Sequence, residues 1–171
     1  ARLLLNGWDV RVFDPDTASE SRLAEALAAA RRALPMLYDV ALPPEGRLEI
    51  AGSVAEAVAG ADWVQESVSE RLDLKHRVFR EIEAAAPEGA LIGSSTSGFK
   101  PSELQEGAAR PGRIFVAHPF NPVYLLPLVE LVGCPKAGAE SIEQASEILS
   151  DIGMFPLRVR GHAGVHHKHV L

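Results

Sequence analysis

The stretch Trp8-Asp-Val-Arg-Val-Phe-Asp-Pro-Asp16 (WDVRVFDPD, residues 8–16) decides how the chain is read. Its apolar positions alternate and it is rich in β-formers, so residues 8–13 predict a strand. Asp14-Pro15-Asp16 ends that strand in a turn. Residues 18–34 then run through Ala, Glu and Arg without Gly or Pro, which predicts a helix. Upstream, residues 1–6 read as the last turns of another helix, stopped at Gly7.

The same alternation continues downstream. Strands are predicted at 47–51, 62–68, 90–95, 113–118, 128–132 and 155–160, with helices at 54–59, 70–86, 101–107 and 141–152. The helix over 70–86 has Leu72, Val78, Phe79 and Ile82 as its expected inner face. Strands alternating with helices predict an α/β fold with a mostly parallel sheet and helices on both faces.

The bulk numbers narrow the function classes. A chain of 171 residues, 47% hydrophobic and 23% charged, reads as about one globular domain. A net charge of −6 disfavours non-specific binding to nucleic acid or to anionic membranes. No apolar run approaches the ~20 residues of a membrane span. The opening residues have no signal-peptide cleavage pattern, so a cytoplasmic location is expected. The single Cys134 has no internal partner and reads as a small buried residue.

A strand, an acid at its end and then a helix is how the second strand of a Rossmann-type, doubly wound sheet reads. Asp14 would hydrogen-bond the adenosine ribose and repel a 2′-phosphate, which favours NAD over NADP. The competing reading is a turn-forming Asp before Pro. The Gly-rich phosphate turn expected about 20 residues upstream of such an acid does not occur in the sequence; Gly93 and Gly98 lack its spacing. The sheet is therefore expected to be truncated at its first, central strand. The chain alone is expected to bind NAD weakly and to be poorly stable.

The second informative stretch is AHPFNPVYLLPLVELV, residues 117–132. Glu130 lies in an apolar strand, where a carboxylate needs a partner. His118 precedes it by twelve positions, and a reversal through Asn121-Pro122 would bring the two together. A histidine oriented by a carboxylate can take the proton of an alcohol. Ser97 and Asn121 could hydrogen-bond the substrate oxygen. Read separately, His118 is also consistent with a satisfied strand-end histidine, and Glu130 with an edge-strand charge.

HPFNPVYLLPLVELV resembles the signature of the L-3-hydroxyacyl-CoA dehydrogenase family, in which H-x-F-N-P precedes an L-V-E strand. SSTSGF (94–99) resembles that family's S-N-T-S-S segment, and SERLDLK (69–75) its V-E-N-L-x-x-K segment. The resemblance covers residues 1–160 and implies a partial NAD-binding Rossmann domain there. It implies His118 as catalytic base, Glu130 as its partner, and Ser97 and Asn121 as substrate contacts. It also puts Glu70 and Lys75 near the nicotinamide end of the cofactor. Ser95 and Gly98-Phe99 depart from the acyl-CoA pattern. With those departures the stretch is most similar to the carnitine-oxidising branch of the family. Phe99, Phe120 and Tyr124 could then offer π-faces to a trimethylammonium group, or could simply be packing aromatics.

The resemblance further implies a small 3-hydroxy acid substrate, and a helical C-terminal domain through which the family forms homodimers. Residues 161–171 do not resemble that domain and read as a disordered tail. His166, His167 and His169 in the tail are not expected to form a metal site. The alternatives left open are a 3-hydroxyacyl-CoA substrate and a non-catalytic, crystallin-like or inert chain.

Overall fold

The computed structural model describes residues 1–133 and 139–159. Cys134 and the expected tail, with its histidines, lie outside the described residues. In chain order the elements are α1 (Arg2–Leu5), β1 (Val10–Val12), α2 (Ser19–Ala33), β2 (Leu48–Ile50), α3 (Val54–Val58), β3 (Trp63–Glu66) and α4 (Leu72–Ala85). There follow β4 (Leu91–Ser94), α5 (Pro101–Leu104), β5 (Ile114–Pro119), β6 (Leu128–Val132), α6 (Ala139–Asp151) and β7 (Phe155–Val159). Every element expected from the sequence is present, with ends shifted by a few residues. Gly7 takes φ +87° after α1, as the expected helix stop requires. Ser53 starts α3 by accepting a hydrogen bond from the Glu56 amide.

The strands form two sheets. One is the parallel pair β1-β2; the other is five-stranded in the order β3-β4-β5-β6-β7. Within the larger sheet only the β5–β6 pair is antiparallel. A cleft of about 1180 Å³ lies between the two sheets, lined by Val10, Val12 and Asp14 on one side and Trp63, Val64 and Gln65 on the other. The order β2-β1, cleft, β3-β4-β5 is the Rossmann order with the place of its first strand open. The fold is thus α/β and Rossmann-like, with the sheet interrupted where a central strand was expected to be missing.

The larger sheet is covered on both faces, and strand alternation sorts its residues between them. Ile92, Ile114, Val116 and Val132 pack against Phe79 and Ile82 of α4 and Leu104 of α5. Leu91, Phe115, Ala117, Val129 and Leu131 pack against Ala145 and Leu149 of α6. A third cluster, Leu5, Ala30 and Leu34, joins α1 to α2. Arg2, only 3% exposed, ties these parts together. Its guanidinium donates to Val123 O (2.8 Å), Gly153 O (3.0 Å) and the Tyr38 hydroxyl (2.9 Å).

Candidate functional site

The antiparallel register of β5 and β6 sets His118 directly opposite Glu130. Opposed residues on such a pair project to the same face, so the side chains meet without any loop rearrangement. His118 Nδ1 lies 3.3 Å from Glu130 Oε2. The pair is half-open, with side-chain exposures of 28% and 14%. Open access matters because a proton-transferring group must reach a ligand. The Phe120 ring lies 5.5 Å from the imidazole, centroid to centroid, and tilted against it. The Phe120 amide donates to Leu128 O at 3.1 Å and extends the pairing beyond the dyad.

Ser97 and Asn121 are both exposed, in the turns that follow β4 and β5. Ser94 pairs with Val116, so Ser97 and His118 leave the parallel β4–β5 pair at the same end. That carboxyl end is where ligands bind in open α/β sheets. The three aromatics are not gathered into one cage. Phe99 packs against the cluster under α4, whereas Tyr124 packs beside Leu5 and Leu34. Phe120 is the one of the three in ring contact with His118.

Asp14 is exposed just past the end of β1 and lines the cleft. Its Oδ1 accepts the Asp16 amide at 2.9 Å, the turn bond expected of Asp before Pro. The ribose-binding and turn-forming readings are thus compatible. These features fit the adenosine half of a dinucleotide on the Asp14 side of the cleft. The sequence supplies no Gly-rich turn for the phosphates.

Glu70 and Lys75 differ sharply from each other. The Glu70 side chain is 44% exposed, while that of Lys75 is 1% exposed. Lys75 Nζ donates to Glu66 Oε1 (2.9 Å), reaches Glu66 Oε2 (3.1 Å) and Val68 O (3.2 Å), and lies 3.4 Å from Glu70 Oε2. Glu66 also accepts from Ser94 Oγ (2.5 Å) and the Val68 amide (2.7 Å). Burial acts to raise the Glu70 carboxyl pKa. Hydrogen bonds from Thr96 and Gly98, with the Lys75 ammonium, outweigh it and hold the group below its usual value. Sequence reasoning missed Glu66. The available signal was Lys75 itself, which falls on the apolar stripe Leu72-Lys75-Phe79-Ile82 of α4 at helical spacing.

Among the described residues no group of three or more His, Cys, Asp or Glu could hold a metal ion, and no helix is long and apolar enough to cross a membrane. The family described as 3-hydroxyacyl-CoA dehydrogenase, NAD binding domain, matches residues 1–162. An L-carnitine dehydrogenase/betainyl-CoA thioesterase of Ruegeria pomeroyi is 62% identical over 166 residues, which is 97% of this chain and 34% of that protein. An L-carnitine dehydrogenase of Mesorhizobium japonicum is 55% identical over 161 residues, 94% of this chain and 44% of that protein. Among solved structures, an NAD+-dependent FHMPC 5-dehydrogenase superposes with a TM-score of 0.84 at 27% identity, covering 93% of this chain and 52% of its own. The chain thus spans between a third and a half of the length of the two carnitine relatives. With one family matched across nearly all its residues and the fold agreeing, the chain belongs to the 3-hydroxyacyl-CoA dehydrogenase family, as an NAD-binding domain.

Proposed function

We propose that the protein carrying this domain oxidises the 3-hydroxyl of L-carnitine to 3-dehydrocarnitine, with NAD as cofactor. The observation that carries the reading is 62% identity to a carnitine-oxidising relative across 97% of the chain. NAD, when bound, supplies the acceptor for the carbon-bound hydrogen. Asp14 would hold its adenosine ribose, and Glu70 would border its nicotinamide end.

The chain's own residues handle the proton. Glu130 accepts from His118 Nδ1–H and so fixes the tautomer that leaves Nε2 free. Nε2 takes the hydroxyl proton of the substrate, and the imidazolium formed is stabilised by the carboxylate beside it. Ser97 and Asn121 hold the substrate oxygen as it becomes a carbonyl. The Phe120 ring, in contact with His118, offers one π-face to the trimethylammonium group. A homodimeric, cytoplasmic enzyme is the expected context.

A second reading, a 3-hydroxyacyl-CoA substrate, is favoured by the family's own description. The full-length protein should be assayed for NADH formation with L-carnitine and with 3-hydroxybutyryl-CoA. Faster turnover of the CoA ester would replace the first reading by the second. With the better substrate, His118→Ala should lower kcat by about 10²–10⁴-fold. A loss below about tenfold would remove His118 from the chemistry.

A further inference from the structure

We propose that Arg2 is a positioning residue for the oxidation. From the helix beside the nucleotide cleft it fixes the Asn121–Tyr124 loop, and so sets where Asn121 meets the substrate oxygen. The inference deepens the reading above and rests on it for the role of Asn121.

The kind of bonding is the first argument. Arg2 is buried, and its acceptors among the described residues are neutral: two main-chain carbonyls and a hydroxyl. Desolvating a cation is costly, and an apolar side chain would fill the same space without that cost. What the guanidinium adds is a rigid planar fork whose donors point in fixed directions. Nε is aimed at Val123 O, two residues beyond Asn121, and Nη1 at Gly153 O and the Tyr38 hydroxyl. The mount of the fork is itself braced. Asn6 Nδ2 donates to Arg2 O at 2.8 Å and reaches Ile152 O at 3.4 Å. Gly153 takes φ +69°, and a Cβ there would collide with the Tyr38 hydroxyl, so the network closes only with glycine at this point.

Where the loop is held is the second argument. The loop joins β5, which ends at Pro119, to β6, which starts at Leu128, and Asn121 is exposed within it. The Leu125 and Leu126 amides both donate to Pro122 O, at 2.9 and 3.0 Å, which are bonds internal to the loop. Two anchors reach it from the α1–α2 side: Arg2 at Val123 O, and Leu5, Leu34 and Tyr38, among which Tyr124 packs. That side also carries β1 and Asp14, and Leu3, the neighbour of Arg2, lines the cleft. α1 therefore borders the nucleotide cleft with one residue and grips the substrate loop with the next.

The test uses the full-length protein and the variant Arg2→Met, which keeps an apolar stem and removes the fork; thermal unfolding confirms that it folds. Arg2→Lys, which keeps the stem and the charge, takes its place with the same readouts where Arg2→Met does not fold. Three quantities are read: amide hydrogen exchange over residues 123–126, kcat per NADH-binding site, and KM for L-carnitine. The kinetic constants are also taken for Asn121→Ala and for the double variant. The expected result is exchange at Leu125 and Leu126 accelerated at least about tenfold. kcat should fall at least about tenfold, with KM within about threefold of the parent. Because the loss runs through Asn121, adding Arg2→Met to Asn121→Ala should lower kcat by no more than about a further twofold. A role in folding alone predicts the full loss in both backgrounds. Tyr38→Phe, which loosens the same network away from Val123, should leave kcat within about twofold of the parent. Unchanged exchange over 123–126, an undiminished loss in the Asn121→Ala background, or a Tyr38→Phe loss as large as that of Arg2→Met overturns the proposal. If the parent protein fails to oxidise L-carnitine, the functional reading fails, while the exchange readout still decides whether Arg2 holds the loop.

Discussion

The Glu66–Lys75 pair and the Glu130–His118 pair are built in opposite ways. Glu66 and Lys75 are sealed, with side-chain exposures of 0% and 1%, and the carboxylate takes further bonds from Ser94 and Val68. Glu130 and His118 are open, at 14% and 28%, and His118 is the one partner Glu130 has among the described residues. An acid whose acceptor sites are filled from inside is fixed and serves as architecture. An acid with a single partner orients that partner and leaves its far side accessible. Burial and bond count, rather than charge alone, separate the pair that supports the site from the pair that can act in it.

Stability separates them most strongly. Glu66→Ala leaves a buried ammonium without its main counter-charge and is expected to cost about 3–5 kcal/mol. Glu130→Ala, at a half-open site whose partner can be neutral, is expected to cost no more than about 1 kcal/mol. Urea unfolding of the two variants measures the difference; equal costs would break the comparison. A smaller effect is expected across the cleft. Asp14→Ala removes an exposed carboxylate that, among the described residues, accepts one bond, from the Asp16 amide. Losing charge-assisted bonds to the ribose should raise the NADH Kd by roughly tenfold and narrow the preference for NADH over NADPH. Fluorescence titration with both nucleotides checks it, and an unchanged preference would leave Asp14 as a turn residue only.

Much of the architecture was legible because it rests on periodicity. Alternation in Trp8–Phe13 and in the later strands, and the Ala-rich run over 18–34, announced β1, the core strands and α2. The opposition of His118 and Glu130 was legible for a related reason. Twelve residues with a turn near the middle return an antiparallel strand into register, and the structure pairs the two residues directly. Tertiary polar contacts were not legible. Nothing in WVQESV distinguishes buried Glu66 from exposed Gln65, since an acid at a strand end is usually solvated. Lysine on an apolar helical stripe was read past for the same reason. The placement of the aromatics was not legible for a different reason. Phe99, Phe120 and Tyr124 are close in sequence, but the turns between them send Phe99 and Tyr124 to separate clusters. Closeness in sequence carries no information on which cluster a loop aromatic joins.

The finest distinction lies beside the sealed pair, at the exposed Glu70. Glu70 is held below its usual pKa: burial opposes this, but Thr96, Lys75 and Gly98 together prevail. A carboxylate depressed in the folded state contributes stability that is complete above its unfolded pKa, about 4.3. That contribution is lost as pH falls through the lower folded value. Between about pH 5 and pH 3, stability should therefore fall more steeply in the parent than in Glu70→Gln. With 44% of the side chain exposed, solvent screens the interaction, so the difference should stay below about 1 kcal/mol. Urea midpoints taken at half-unit pH steps would resolve it. Coincident curves would mean that Glu70 is tied no more firmly than a surface acid, its bonds from Thr96 and Gly98 notwithstanding.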